Sequence, residues 1–453
     1  MIQFRTLFLS VFGLFMMACA REEIIVSEIS VQDTPIGMQA QKGRLRLKFK
    51  SRFAGKAEQA VYTRAGTGDI RIVSMKRLFP FAGKFEERTR KAGLHLWYEV
   101  EFDEQTPVTR ALALLGDTTE IEIAEPVYII RNTGGEGTVP VRSAGERNSD
   151  GTAPFNDPEL SRQWHYSNTG ELPNSVAGAD INLFAAWQKN QGSREVIVAV
   201  IDGGIDYRHE DLSGNVGNPA ELFGEPGVDD DGNGYIDDIY GWNFMNGTNQ
   251  IEADDHGTHV AGTIGAENNN GVGVCGIAGG HGGNTGVWLL SCQLFGTIDG
   301  REVSASFPEM IKYAADAGAV IAQNSWGYEN ITYLPRADQE AIDYFIQYAG
   351  VDERGEQTGP MKGGVVIFAA GNENKDYRLM KKSFLLRLML LITKKAGIPI
   401  LPTGSISLLR AGHTAMGGSI TVNALYTVRY RITSTAICRG HLWLVLMFRV
   451  SLL

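Results

Sequence analysis

The chain has few cysteines, no internal repeat and no apolar run of membrane-spanning length. Over residues 378–453 it has no acidic side chain. Four cysteines in 453 residues do not make a disulfide framework. Cys275 and Cys292 read as small buried hydrophobes, and their spacing does not argue for a bridge. The apolar run in MIQFRTLFLSVFGLFMMAC is shorter than the ~20 residues a spanning helix needs. SFLLRLMLLI is interrupted by Arg387, and LWLVLMF is shorter still, so the C-terminal tail does not read as an anchor. A formal net charge of -10 argues against a nucleic-acid partner. The missing acids are confined to one place. Residues 378–453 hold four Lys, seven Arg and no Asp or Glu, leaving 31 basic against 52 acidic residues elsewhere.

At the N-terminus one Arg precedes the apolar run, then a small residue and a cysteine, which reads as an export signal. Met16-Met17-Ala18-Cys19 resembles a bacterial lipobox, with Met16 where Leu is usual. Residues 1–19 are then a lipoprotein signal peptide. Cys19 is lipidated, and the protein is held at the outer membrane or cell surface by that lipid alone. Ala20-Arg21-Glu22-Glu23 is similar to the surface-export tag of some bacterial lipoproteins. The alternative is an ordinary cleaved signal with an incidental Cys, giving a periplasmic or secreted protein.

Residues 24–132 read as a small α+β domain. RLRLKF (44–49) and LHLWYEVEF (94–102) alternate like half-buried strands. PVTRALALLGD (107–117) has helical spacing, and IEIAEPVYII (121–130) reads as a last strand. Residues 133–154 are polar and Gly-rich, a linker. Beyond it EVIVAVID (195–202), GAVIAQNS (318–325) and GGVVIFAAGN (363–372) are apolar on both faces, as strands of a covered parallel sheet are. FPEMIKYAADAG (307–318) lies between two of them with helical spacing. This predicts a doubly wound α/β domain over 155–377, with its site at the carboxyl ends of the strands. Those ends carry Asp202, Asn324-Ser325 and Asn372.

Three segments there suit acid–base chemistry. DDHGTHVAGTIGA (254–266) sets His256 at a Gly-flanked helix start. VAVIDGGID (198–206) ends a buried strand in Asp202, which can fix a His tautomer. FAAGNEN (368–374) offers the Asn372 amide to an oxyanion. His259, one turn after His256, reads as a packing residue, and Asp206 and Asp211 as non-catalytic. Together and in this order, the three segments resemble the subtilisin-like serine proteases, or subtilases. The resemblance spans about residues 155–377. It implies that Asp202 and His256 are the catalytic Asp and His and that Asn372 belongs to the oxyanion hole. It implies that Ser325, Trp326 and Gly327 pair with substrate backbone, and that NDPELSRQWHY (156–166) starts the mature enzyme. Residues 24–132 would be a pro-segment that assists folding and inhibits. Protein or peptide substrates are implied as well.

Structural calcium is a further expectation. In VDDDGNGYIDD (228–238), Asp229, Asp231, Asn233 and Asp237 have EF-hand-like spacing, with the Tyr235 carbonyl available. Tyr240 stands where an EF-hand has its bidentate Glu, so the segment suits a calcium loop but not a true EF-hand. The resemblance implies a second set: Asp157, Asp211, the Asn270 side chain, and the carbonyls of Asn268, Val272 and Val274.

The nucleophile segment expected near the C-terminus, of the GTSMA-PH type, is absent. Reading residues 378–453 one base out of step permits it. The Trp443–Leu444 junction then encodes Ala or Val, and Met447–Phe448 encodes Val with no freedom. Gly440–Leu453 permits Thr-Ser-Met-Ala-Cys-Pro-His-Val-Ser-Gly-Val-Ala-Ala, with a preceding Gly from Arg439–Gly440. The same offset turns TGSISLLRAGH (403–413) into Trp-Val-Asp-Ile-Ser-Ala-Pro-Gly-Gly, and MKKSFLLRL (380–388) into a buried-strand sequence. The expectation is a serine endopeptidase that is inactive as written. It has an out-of-frame, non-native tail over 378–453, so the catalytic fold is incomplete. A pseudo-protease that binds a peptide or partner through the retained cleft is the alternative.

Overall fold

The structure, a computed structural model, describes residues 39–55, 70–116, 119–132, 153–171, 175–298, 301–328, 334–369, 420–423 and 427–430. In RLRLKF the strand period of two sends Leu45, Leu47 and Phe49 to one face and Arg46 and Lys48 to the other. Strand β1 (Ala40–Phe49) is the inner strand of an antiparallel sheet with β2 (Ile72–Arg77), β3 (Trp97–Phe102) and β4 (Ile121–Tyr128), in the order β2-β3-β1-β4. A short helix α1 (Glu86–Lys91) precedes β3, and α2 (Val108–Gly116) precedes β4. Helix α2 covers the apolar face, burying Ala111, Leu112 and Leu115 against Leu45, Leu47 and Val100. Deleting one such core side chain, as in Leu45→Ala, costs about 2–5 kcal/mol.

The opposite face of β1 departs from the half-buried expectation. Arg46 is 2% exposed. Its guanidinium donates to Asp338 Oδ1 (2.9 Å) and Ser306 Oγ (3.0 Å) in the second domain. Lys48 and the Trp97 indole both donate to Glu340, at 2.9 Å each. Alternating cations bury here because the neighbouring helix supplies acids in register with them.

The second domain is built on a five-stranded parallel sheet. After β5 (Ile130–Asn132) and helix α3 (Leu183–Trp187) come β6 (Ile197–Asp202), the one-turn helix α4 (Pro219–Leu222), β7 (Gly241–Asn243), α5 (Asp255–Gly265) and β8 (Trp288–Gln293). A hairpin β9 (Phe295–Ile298) and β10 (Arg301–Ser304) leads to α6 (Phe307–Asp316), β11 (Ile321–Asn324), β12 (Trp326–Tyr328), α7 (Arg336–Tyr348) and β13 (Val365–Phe368). The order is β13-β11-β6-β8-β7, with every neighbouring pair parallel. In β6, Val198 and Val200 pack against Val260, Ala261 and Ile264 of α5, while Ala199 and Ile201 join the core under α6 and α7. Both faces are covered, as the unbroken apolar runs require. The predicted strand at 318–325 begins at Ile321 because Gly318, at φ 84°, belongs to the turn that ends α6.

Within residues 378–453 the structure describes one antiparallel pair, β14 (Ile420–Asn423) with β15 (Thr427–Tyr430), forming a sheet of its own. Cys275 and Cys292 are buried free thiols. Among the described residues, no helix is long and apolar enough to cross a membrane. The signal peptide with Cys19, most of the linker, and Asn372 lie outside the described residues.

Candidate active site and cation-binding loops

Asp202 ends the central strand β6, and the sheet buries it to 1% exposure. Its Oδ1 lies 2.7 Å from His256 Nδ1. His256 sits in the first turn of α5, whose start is fixed by Asp254. The Asp254 side chain accepts the Gly257 N–H at 2.9 Å, an N-cap that satisfies an otherwise orphaned helix donor. The glycines of VIDGGID now have a mechanical reason. A Cβ on Gly203 would lie 2.4 Å from the Asp254 carboxylate, and one on Gly204 would lie 2.1 Å from the Glu252 carbonyl oxygen. Strand end and helix start approach this closely only because those side chains are absent.

Burial pulls the His256 imidazole down. The Asp202 bond and charge, joined by the Asp254 charge, outweigh it and hold His256 above the ordinary histidine value. Burial also raises Asp202, against the opposing pull of His256. A carboxylate at Nδ1 fixes the tautomer and favours a proton on the ring, which suits a general base.

Strand β12 carries Trp326 and Gly327 of the predicted peptide edge, and the edge is occupied. Strand β5 lies antiparallel along it, with Trp326 opposite Asn132, Gly327 opposite Arg131 and Tyr328 opposite Ile130. Trp326 is buried edge-on against Phe307 and Phe368. The Ser325 hydroxyl accepts from Gln323 Nε2 at 3.1 Å. Gly327 has open space where a side chain would stand. An extended segment N-terminal to the second domain thus adds a strand at the predicted substrate edge.

The acidic loop is organised differently from the EF-hand spacing. Asp229 turns inward on its own loop, accepting the Asn233 and Gly234 N–H groups. Asp237, at φ 54°, points its carboxylate at the Gly227 N–H. The Tyr235 hydroxyl donates to Glu309. Asp231 instead meets two acids that the spacing did not single out, Glu221 and Asp238. One carboxylate oxygen from each of the three lies within 4.8 Å of the others. Asn218 Nδ2 bridges Asp231 (2.9 Å) and Asp238 (3.3 Å), and Asn233 Nδ2 bridges the same pair at 3.0 and 3.1 Å. Burial and neighbouring acids push Asp231 up to about 8 and Asp238 up to about 6. Two buried carboxyls and a half-buried one that resist ionisation together suit a divalent cation, and the oxygen donors are of the kind calcium takes. The signal for Glu221 was the Asn-Pro at 218–219, which caps a one-turn helix and aims residue 221 back at the loop.

The second calcium set is partly assembled. Asp157 accepts the Asn269 N–H at 2.7 Å, and Asp211 accepts Asn270 Nδ2 at 2.9 Å and the Val274 N–H at 2.8 Å. Asn270 Oδ1 accepts the Val272 N–H. The Asn268 side chain is engaged with the Gly280 carbonyl. Burial, with the Asp157 charge, pushes Asp211 up to about 6.

Residues 193–431, more than half of the chain, match the profile of the Subtilase family. The chain belongs to the subtilase family. The subtilase match runs past Tyr377, the expected end of the catalytic domain, into the tail expected to be out of frame. A second profile, N-terminal of Subtilase family, matches residues 54–170. Subtilisin-like protease 1 of Plasmodium vivax is 52% identical over 84 residues, covering 18% of this chain and 13% of the relative. Kexin of Saccharomyces cerevisiae is 28% identical over 239 residues, covering 52% of this chain and 24% of the relative. The chain therefore spans about a quarter or less of the length of these relatives. Among solved structures, fervidolysin from Fervidobacterium pennivorans, a keratinolytic enzyme related to subtilisin, aligns with 75% of this chain and 41% of its own. The TM-score is 0.45 and the identity 18%.

Proposed function

We propose that this chain carries the acid–base half of a serine endopeptidase, with the nucleophile half lost. The observation that carries the reading is the 2.7 Å contact between Asp202 and His256 at the end of the central strand. In an intact parent His256 would take the proton of the serine hydroxyl, Asp202 would hold the imidazole in the required tautomer, and Asn372 would donate to the oxyanion. Peptide substrates would lie along β12 as β5 does, and residues 24–132 would act as an inhibitory pro-segment. Residues 157–274 and 218–238 supply acidic oxygen sets for structural calcium, with Glu221 and Asp238 added to Asp231. Bound there, calcium would neutralise the buried carboxylates and stiffen the loops. Export with a lipid on Cys19, to the outer membrane or cell surface, completes the reading.

The missing nucleophile is assigned to a one-base change of frame near Arg378. Purified chain as written should not react with a fluorophosphonate probe. The version with the frame restored across codons 370–385 should be labelled and should cleave peptides. Labelling of the chain as written would overturn the mechanism. The second reading, a pseudo-protease that binds peptides, rests on the same β12 edge, which pairs with β5 as an added strand. Saturable binding of an extended peptide to the unlabelled chain would select it.

A further inference from the structure

Two negative groups, not one, flank the imidazole. Asp202, Asp254 and His256 each offer one side-chain atom within 4.8 Å of the others. Asp202 reaches His256 from the end of β6. Asp254 reaches the same place from the turn before α5, with its carboxylate seated over Gly203, where any larger residue would displace it. The same carboxylate accepts the Gly257 N–H, so cap and charge are one group. Gly257 in turn has no room for a side chain, since a Cβ would lie 2.4 Å from the Gly204 carbonyl oxygen. The Thr258 hydroxyl accepts the Asp206 N–H at 2.9 Å, a second tie between helix and strand end.

We propose that Asp254 is a positioning residue for His256, holding the start of its helix by the cap and setting a second carboxylate beside the imidazole. It touches neither substrate nor the transferred proton in this scheme; it acts through the imidazole. The titratable groups that face His256 are Asp202 from β6, Asp254 from the preceding turn and His259 one turn on. Burial and the neighbouring His256 charge hold His259 below the ordinary histidine value. Among these, Asp254 contributes a raising charge to His256 besides that of Asp202. The inference rests on His256 as the proton acceptor for its catalytic meaning. Its test, however, reads the imidazole directly and needs no turnover.

Cap and charge separate cleanly by substitution. Asn and Ser both cap helices about as well as Asp, but neither carries the charge. In the full chain, labelled on histidine and titrated by NMR, Asp254→Asn should lower the His256 pKa by about one pH unit while leaving the melting temperature near that of the parent. Asp254→Ser should do the same, and it decides the matter if the Asn variant does not fold. Asp254→Ala should lower both the pKa and the melting temperature. His256→Gln assigns the resonance. An unmoved His256 titration in the folded Asn or Ser variant overturns the proposal and leaves Asp254 a cap alone. Failure of the restored-frame chain to cleave peptides would sink the proposed function without changing this result.

Discussion

At the interface between the two domains, Glu125 and Asp338 share the Arg46 guanidinium. In the loop at 218–238, Glu221, Asp231 and Asp238 face one another, with the Asn218 and Asn233 amides between Asp231 and Asp238. Both clusters are largely buried and both are made of carboxyls. The interface supplies a permanent cation from β1 and backbone N–H groups from the start of α7, where Glu125 accepts from Arg336 and Ala337. The loop cluster has neutral donors, the side-chain and backbone amides and the Tyr313 hydroxyl, and two of its acids rise to about 8 and 6, while at the interface burial raises Glu125 to about 7 against the pull of Arg46. The Asp202–His256 pair is a third solution, one acid with one titratable base. Similar acids therefore stand in three settings, decided by what lies opposite: a fixed arginine, an imidazole, or neutral donors and other acids.

The largest test breaks the proton-handling pair. In the chain with its frame restored, His256→Ala should lower turnover by roughly 10⁶-fold and Asp202→Asn by roughly 10⁴-fold, measured as kcat on a peptide substrate. Equal, small losses would mean that the pair is structural. The next test concerns the loop. Carboxyls whose folded pKa is raised leave the folded state holding more protons than the unfolded chain. Their contribution is thus fully present at low pH and is lost as pH rises through about 6 and then about 8. In a chelator the melting temperature should fall between pH 5 and pH 9, by a stability change on the order of 5 kcal/mol. Millimolar calcium should remove that fall, because it binds the ionised form. Identical pH profiles with and without calcium would refute a cation at this loop.

Parallel-sheet strands were legible because both faces are buried, so a run such as IVAVID needs no polar interruption. Asp202 and His256 were legible because a strand end and a helix start are local patterns, and the topology brings them together. The loop was legible only in part. EF-hand spacing assumes that the loop closes around its own residues. Here Asn218 and α4 fold back over it, so Glu221 enters from outside the motif and Asp237 turns away to Gly227. The buried face of β1 was misread for a related reason. Alternation reports two faces, but whether Arg46 and Lys48 meet water or Asp338 and Glu340 is decided some 290 residues away. Asp254 lies within DDHGTHVAGTIGA, but its seat over Gly203 depends on the strand end and helix start meeting in the fold.

Converting the interface cluster into one like the loop is the next test. Arg46→Met removes the fixed cation and leaves Glu125 and Asp338 buried together. Breaking a buried pair in this way costs about 3–5 kcal/mol. Burial already pushes Glu125 up to about 7, with Arg46 opposing it and Asp338 adding to it. Without Arg46 both acids hold their protons more tightly. The variant should therefore approach the parent near pH 5 and separate from it above pH 7, in melting temperature measured across that range. A constant difference at all pH values would mean that lost packing of the arginine stem, not charge, accounts for the cost.

The smallest expected effect isolates one hydrogen bond within the loop cluster. The Tyr313 hydroxyl donates to Asp238 from α6, and it lowers a carboxyl that burial raises. Tyr313→Phe removes that donor while keeping the ring between Tyr235 and Phe244. The ionised form of Asp238 then loses about 1 kcal/mol of support, whereas the protonated form loses little. In chelator the variant should match the parent at pH 5 and fall below it by about that amount above pH 7. Calcium should narrow the gap, since a cation on the carboxylate does what the hydroxyl did. A gap that is the same in calcium and in chelator would place the Tyr313 contribution in packing and separate α6 from the electrostatics of the loop.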